Sequence, residues 1–298
     1  MTVLRLKCKF VQVVSLMLTA QIWATENHRM QGILVEVNPA TQSIVVSCDA
    51  VPGYMEPMVM PFTVRGIADL KTLAPGMSVS FEMVEGKDEA FAQHLQVLRA
   101  SNHESEPTEA SRLTFLQRAL DPEAEAKIVK IGQLVPDFAL TDQTRKMTRL
   151  SQFRGKVVAL TFTYSRCPNP NYCFRLSNNL SMLERRFRGK SERNLMLITI
   201  VIDPDRDRGK VLEKYADTWK ADPAAWRFLT GTLPEVREVA ERFGMNFWSD
   251  EGFLTHTFHT VVIDRNGDLA ANLEGNQFTA QQLGDLVESV LRRPMHDK

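Results

Sequence analysis

The chain has 298 residues, 44% of them hydrophobic and 24% charged, which suits a folded protein of one large or two modest domains and excludes disorder, collagen and coiled coil. Lysine plus arginine and aspartate plus glutamate both number 36, so there is no global basic field to gather phosphates, which argues against nucleic acid as a partner. The balance is uneven along the chain: +3 over residues 1–24, −4 over 25–100 (5 basic, 9 acidic), −4 over 101–126 (2 basic, 6 acidic) and +5 over 127–298.

Arg5, Lys7 and Lys9 precede the mostly apolar run 10–24. A basic flank and an h-region of that length predict an export signal cleaved after Ala24, with an uncleaved membrane anchor as the alternative. No later stretch reaches the roughly eighteen apolar residues of a spanning helix. A periplasmic or otherwise exported protein is expected, losing Cys8 with its signal. Three cysteines then remain, Cys48, Cys167 and Cys173; in an oxidising compartment this odd count means one pair and one thiol with another purpose.

Residues 30–98 read as short β segments, GILVEV, SIVVSC, MPFTV, SVSFEMV and AFAQHLQVL, punctuated by Gly, Pro and Asp, a small all-β barrel of OB-like type over residues 29–99. Residues 100–126 are acidic and polar with Pro107 and Pro122, a linker with a short helix near 112–120. From 127 to 298 the pattern becomes α/β. The apolar strand 157–165 leads into a loop holding two cysteines, a helix at 174–187 and the apolar strand 195–203. Helices at 210–220 and 234–243, a hairpin turning at Asn266-Gly267 and a last helix over 279–293 complete a thioredoxin-like order.

Cys167 follows the central strand and Cys173 opens the next helix, because Pro168 and Pro170 keep the preceding residues extended. Helix N–H groups there lower a thiol pKa. The pair can form a disulfide, act as a redox dithiol or hold a metal, and the spacing alone decides none of these.

The segment 131–295 resembles the Sco/SenC family of copper-delivering thioredoxin-like proteins through PDFALTDQ (136–143), FRGKVVALTFTYSRCP (153–168), IDPDRD (202–207), WRFLTG (226–231) and HTFHTVVIDRNG (256–267). The resemblance implies one copper held by Cys167, Cys173 and His256, with His259 an ordinary buried histidine. Two thiolates and an imidazole suit soft Cu(I), and Cu(II) is the alternative at that site. The loop CPNPNYC places five residues between the cysteines where the best-known members have three, a departure that favours reversible thiol–disulfide exchange. Asp203 either tunes a thiolate or, with Asp207, caps the following helix.

In the N-terminal part, Met58 and Met60 stand two apart and share a strand face, with Met55 and Tyr54 in the turn before them. Their thioethers suit Cu(I), though core filling is the plainer role of methionine and the one read for Met77 and Met83. Residues 30–98 resemble the CusF-type periplasmic copper-binding domain through CD (48–49) and PGYMEPMVMPF (52–62). That resemblance implies a second copper site at Cys48, Met55, Met58 and Met60, with Cys48 where the family usually has histidine.

The sequence is thus expected to encode an exported copper protein that delivers copper to, or reduces the cysteines of, the copper centre of a respiratory cytochrome oxidase. A copper-accepting oxidase subunit and a thiol–disulfide reductant are the expected partners. The rival readings are a metal-independent thiol–disulfide oxidoreductase or peroxiredoxin-like enzyme using Cys167 and Cys173, and a periplasmic copper buffer.

Overall fold

The computed structural model describes residues 28–66, 70–87, 89–98, 126–189, 194–250 and 253–295. The expected export signal, and the linker with its short helix up to residue 125, lie outside the described residues.

Five strands close the first unit: β1 (His28–Asn38), β2 (Ser43–Cys48), β3 (Met58–Val64), β4 (Ser78–Glu85) and β5 (Ala90–Leu98), in the order β1-β2-β3-β5-β4. All five apolar segments of the sequence are strands. Closure pairs β4 with β1 and leaves no free sheet edge. Met30, Leu34, Ile44, Val46, Phe62, Val79 and Phe81 fill the interior. Gly32 is required where β1 meets β2, because a Cβ there would lie 2.3 Å from the Ser47 carbonyl oxygen.

The second unit is a seven-stranded sheet built from β6 (Ala139–Asp142), β7 (Met147–Arg149), β8 (Val157–Thr163), β9 (Leu195–Val201), β10 (Trp226–Thr230), β13 (His259–Ile263) and β14 (Leu269–Glu274). Its order is β14-β13-β8-β9-β10-β6-β7, with β8, β9 and β10 parallel. A separate hairpin, β11 (Phe247–Asp250) and β12 (Phe253–His256), precedes β13. The helices are α1 (Arg175–Phe187), α2 (Lys210–Thr218), α3 (Leu233–Glu241) and α4 (Ala280–Arg292). Every residue of β8 and β9 is buried, as a parallel strand covered on both faces requires. Val158, Leu160 and Phe162 join the core under α3, while Val157 and Ala159 join the core under α1, α2 and α4. On α1 the buried Leu176, Leu180, Leu183 and Phe187 recur at helical spacing against that second core. This is the thioredoxin-like arrangement expected from the sequence. The hairpin turn is also where expected, with Gly267 at φ 88°.

The two units are packed together. Ile33 of β1 is buried in the core formed by α1, α2 and α4. Ser47 Oγ donates to Asp285 Oδ2 at 2.7 Å, and Ser289 Oγ donates to Glu36 Oε1 at 2.5 Å. Gln282 closes the capping box of α4 by accepting from the Thr279 N–H, and its amide donates to Asp49 Oδ1 at 2.8 Å and to the Ser47 carbonyl at 3.3 Å. The face of α4 that carries Gln282, Asp285 and Ser289 is therefore the seat of the barrel.

Candidate metal centre at the cysteine loop

Strand β8 ends at Thr163, and the chain leaves the sheet through Tyr164, Ser165 and Arg166 to Cys167. Asp207 fixes this exit: its carboxylate accepts the Ser165 N–H at 2.7 Å and also the Ser165 hydroxyl. Asp203 accepts from the Arg166 guanidinium at 2.9 Å, with Arg206 at 3.6 Å. The expectation that these aspartates cap the next helix is corrected here, since the N-cap of α2 is Gly209 with no side-chain bond. They brace the cysteine loop instead. Burial, and secondarily the charge of Asp203, push the Asp207 carboxyl up against the lowering pull of its bonds to Ser165.

The loop then forms a single π turn, Pro170–Phe174, continuous with α1. Pro170 stands in its first turn, and the Asn169 side chain caps it by accepting the Asn171 N–H at 2.9 Å. The π turn leaves Cys173 buried and Cys167 partly exposed; both are free thiols. The two have opposite acidities. Cys167 is lowered to about 6, chiefly because the Cys173 thiol donates to it, aided by the N–H groups of Cys173 and Asn169 and by the Tyr164 hydroxyl, against its own burial. Cys173 is raised well above the usual thiol range, first by burial and then by its bond to Cys167 and the charge there. Cys167 is thus the acidic thiol of the pair and Cys173 the one that keeps its proton. The expected lowering by helix N–H groups applies to Cys167 alone.

His256 ends β12, where it pairs with Phe247. Its Nδ1 lies 2.9 Å from the Thr257 carbonyl oxygen, which can only accept, so the proton is on Nδ1 and Nε2 is an acceptor. That Nε2 is 3.7 Å from Cys173 Sγ. Burial, with a smaller contribution from His259, lowers the imidazole to about 4, so it is neutral at pH 7. Phe258 and Tyr164 pack edgewise on the ring, with centroids at 4.6 and 6.0 Å. His259, three residues on, turns Nδ1 to Asn272 Oδ1 at 3.0 Å. Among the described residues no group of three or more His, Cys, Asp or Glu side chains is placed to hold a metal ion. The arrangement is a sulfur–imidazole pair, with Cys167 in the same loop and partly exposed.

Tyr164 was not singled out from the sequence. Its hydroxyl donates to the Leu254 carbonyl at 3.2 Å, joining the strand exit before the cysteine loop to the histidine hairpin. The signal was present in the alternation of β8, which puts Tyr164 on the same side as Leu160 and Phe162.

In the barrel, Cys48 closes β2 directly opposite Met58, the first residue of β3. Cross-strand partners share a face, so Cys48, Met58 and Met60 lie on one side. Cys48 is buried, donates weakly to the Val46 carbonyl at 3.7 Å, and is pushed up to about 12 by burial and then by Asp49. Met58 is 46% exposed at the barrel edge, while Met60 and Met55 pack on its core. Tyr54 stacks on His28 at 3.7 Å and donates to Glu85. Met83 is a core side chain and Met77, partly buried, packs against that core, in keeping with a filling role for both.

The SCO1/SenC family model matches residues 128–292, more than half of the chain, and the model described as copper binding periplasmic protein CusF matches residues 27–97. A SCO2-like protein of Rickettsia typhi is 25% identical over 148 residues, which are 47% of this chain and 68% of that protein. A SCO1 protein homolog of Bacillus subtilis is 25% identical over 107 residues, 36% of this chain and 54% of its own. Among solved structures, a SCO1/SenC family lipoprotein from Bacillus anthracis has a TM-score of 0.49 at 20% identity, covering 53% of this chain and 95% of its own. Arabidopsis thaliana ScoI with copper bound has a TM-score of 0.47 at 18% identity, covering 54% of this chain and 100% of its own. By the extent of the family match, the chain belongs to the SCO1/SenC family.

Proposed function

We propose that this protein is exported, binds Cu(I) through Cys167, Cys173 and His256, and delivers it to the copper centre of a respiratory oxidase. The barrel holds a second Cu(I) through Cys48, Met58, Met60 and Met55 and supplies the cysteine loop. Residues 1–24 serve as the export signal and 100–126 as an acidic linker between a barrel at 29–99 and the domain at 127–298. A thiol–disulfide reductant keeps the cysteine pair reduced.

The observation that carries this reading is the His256 ring, neutral and locked by Thr257 with its unprotonated Nε2 turned to Cys173 Sγ at 3.7 Å. A metal-binding histidine characteristically has its other nitrogen bonded in this way. A small turn of the partly exposed Cys167 would complete an S₂N set for a soft ion. The test is Cu(I) stoichiometry on reduced protein against a competing chelator. Two coppers are expected, one lost in Cys167→Ala and in His256→Ala, the other in the double variant Met58→Ala/Met60→Ala. Undiminished copper in the first two variants refutes the cysteine-loop site.

A second reading, a metal-independent thiol–disulfide oxidoreductase, has one observation in its favour: a Cys167 thiolate with a thiol beside it to resolve a mixed disulfide. It requires catalytic turnover on a disulfide that survives His256→Ala.

A further inference from the structure

His256 and the cysteine loop come from different parts of the fold, and strand pairing does not set the distance between them. Among the described residues β11 and β12 pair with each other alone, outside the seven-stranded sheet. Pairing with that sheet resumes at Thr260, opposite Thr161 and four residues beyond His256. The base of the hairpin is closed by its own bonds: the Asn246 N–H donates to Thr257 Oγ1 and the Thr257 N–H to the Asn246 carbonyl, each at 2.9 Å. On β11, Phe247 is buried in the core. These features shape the hairpin without placing β12 over Cys173.

Tyr164 supplies that tie. Its neighbours on both sides are anchored, since the Thr163 carbonyl accepts the Ile202 N–H at 2.9 Å and Asp207 holds Ser165 through N–H and hydroxyl. From this fixed point the buried Tyr164 side chain meets β12 twice. Its hydroxyl donates to the Leu254 carbonyl at 3.2 Å, and its ring meets the His256 ring edge-on with centroids 6.0 Å apart. Leu254 and His256 stand two apart on one strand, so their side chains share a face, and Leu254 packs on the same core as Tyr164. A buried tyrosine hydroxyl needs a hydrogen-bond partner, and here the partner is the strand that carries the imidazole.

We infer that Tyr164 is a positioning residue that holds the His256 imidazole over Cys173; this rests on the reading of His256 as a copper ligand. The hydroxyl bond sets the place of β12, and the ring edge limits the tilt of the imidazole, whose Nδ1 is fixed by Thr257. Nε2 thereby stands 3.7 Å from Cys173 Sγ before any ion binds. Such preorganisation raises affinity, because the ion does not have to order the hairpin as it binds.

The test is Tyr164→Phe in the full chain, which keeps the ring and deletes the hydroxyl. In metal-free protein, amide hydrogen exchange over residues 253–258 should quicken at least about threefold, with exchange in β8 and β13 unchanged. In reduced protein at pH 8, above the Cys167 midpoint of about 6, Cu(I) affinity at the cysteine loop should fall about 3–10-fold in chelator competition. In a His256→Ala background the same substitution should change the affinity by less than about twofold, because no imidazole remains to be placed. A merely structural role would give the same loss in both backgrounds. Unchanged exchange in the hairpin, exchange that quickens throughout the sheet, unchanged affinity in Tyr164→Phe, or an equal loss in the His256→Ala background overturns the inference and leaves His256 a ligand. Copper held as tightly by His256→Ala as by the parent removes the ligand reading and the inference together, and is seen in a variant that keeps Tyr164.

Discussion

The opposite acidities of the two loop cysteines make a quantitative prediction. In reduced chain carrying Cys8→Ser, Cys48 and Cys173 are buried and hold their protons, while Cys167 is partly exposed and lowered to about 6. Reaction with a small disulfide reagent therefore reports Cys167. At pH 5.5 a thiol titrating at about 6 is roughly one-quarter ionised, against about three parts in ten thousand for an unshifted thiol, a ratio of about 800. The more acidic thiolate is the weaker nucleophile, and a Brønsted coefficient near 0.45 takes back a factor of about 20 over three pH units. The net expectation is that Cys167 reacts ~30-fold faster than an unshifted thiol at pH 5.5 and only ~4-fold faster at pH 7. Reactivity should level off above the midpoint and fall tenfold per pH unit well below it. Cys173→Ala removes the main donor to the Cys167 sulfur, so the midpoint must move up. A midpoint near 9 in the parent, or one unmoved by Cys173→Ala, refutes the assignment of thiolate and donor.

Three further outcomes follow from the packing and bonding. His256→Ala is expected to weaken Cu(I) binding at the cysteine loop by about 10–100-fold or more, read by chelator competition, with the Cys167 reactivity midpoint retained; equal affinity would mean that His256 is no ligand. Asp207→Ala strips the Ser165 N–H and hydroxyl of a charged acceptor and should cost about 2–3 kcal/mol in urea unfolding, with no loss meaning that Asp207 does not brace the loop. Ile33→Ala empties a site buried against α4 and should cost about 2–4 kcal/mol, separating unfolding of the barrel from that of the second unit. A single unshifted transition would show that Ile33 does not join them.

Periodicity alone made the five barrel strands, β8, β9 and the four helices legible, because each has a continuous or amphipathic apolar pattern. The β11 and β12 hairpin lacks one: Phe247 to Asp250 and Phe253 to His256 are short and mixed, so His256 was placed through family resemblance. The packing of the barrel on α4 was hidden for a different reason. In β1, residues 32–35 are all buried, since Leu34 faces the barrel and Ile33 faces the other core. Such two-sided burial reads in sequence as an ordinary apolar strand. The roles of Asp203 and Asp207 were open between two readings, and the bond partner that separates them, Ser165, lies forty-two residues from Asp207.

The length of the cysteine loop shows how structure changes the weight of a sequence feature. Five residues between cysteines suggest sulfurs held farther apart and a looser hold on metal. The chain absorbs the added length in another way, as the wide π turn of Pro170–Phe174, which brings Cys173 back under the loop. Pro170 and the Asn169 cap fix where that turn starts, and Asp207 fixes the strand exit before it. With both ends held, the extra residues lie on the outside, where Pro170 and Asn171 face Cys48, Asp49 and Pro57 of the barrel across one cleft. π turns interrupt helices at an energetic cost and recur at functional sites. Here the turn does two things a shorter loop would not combine. It buries one cysteine against His256 while leaving the other reachable, and it carries the loop outward to meet the barrel.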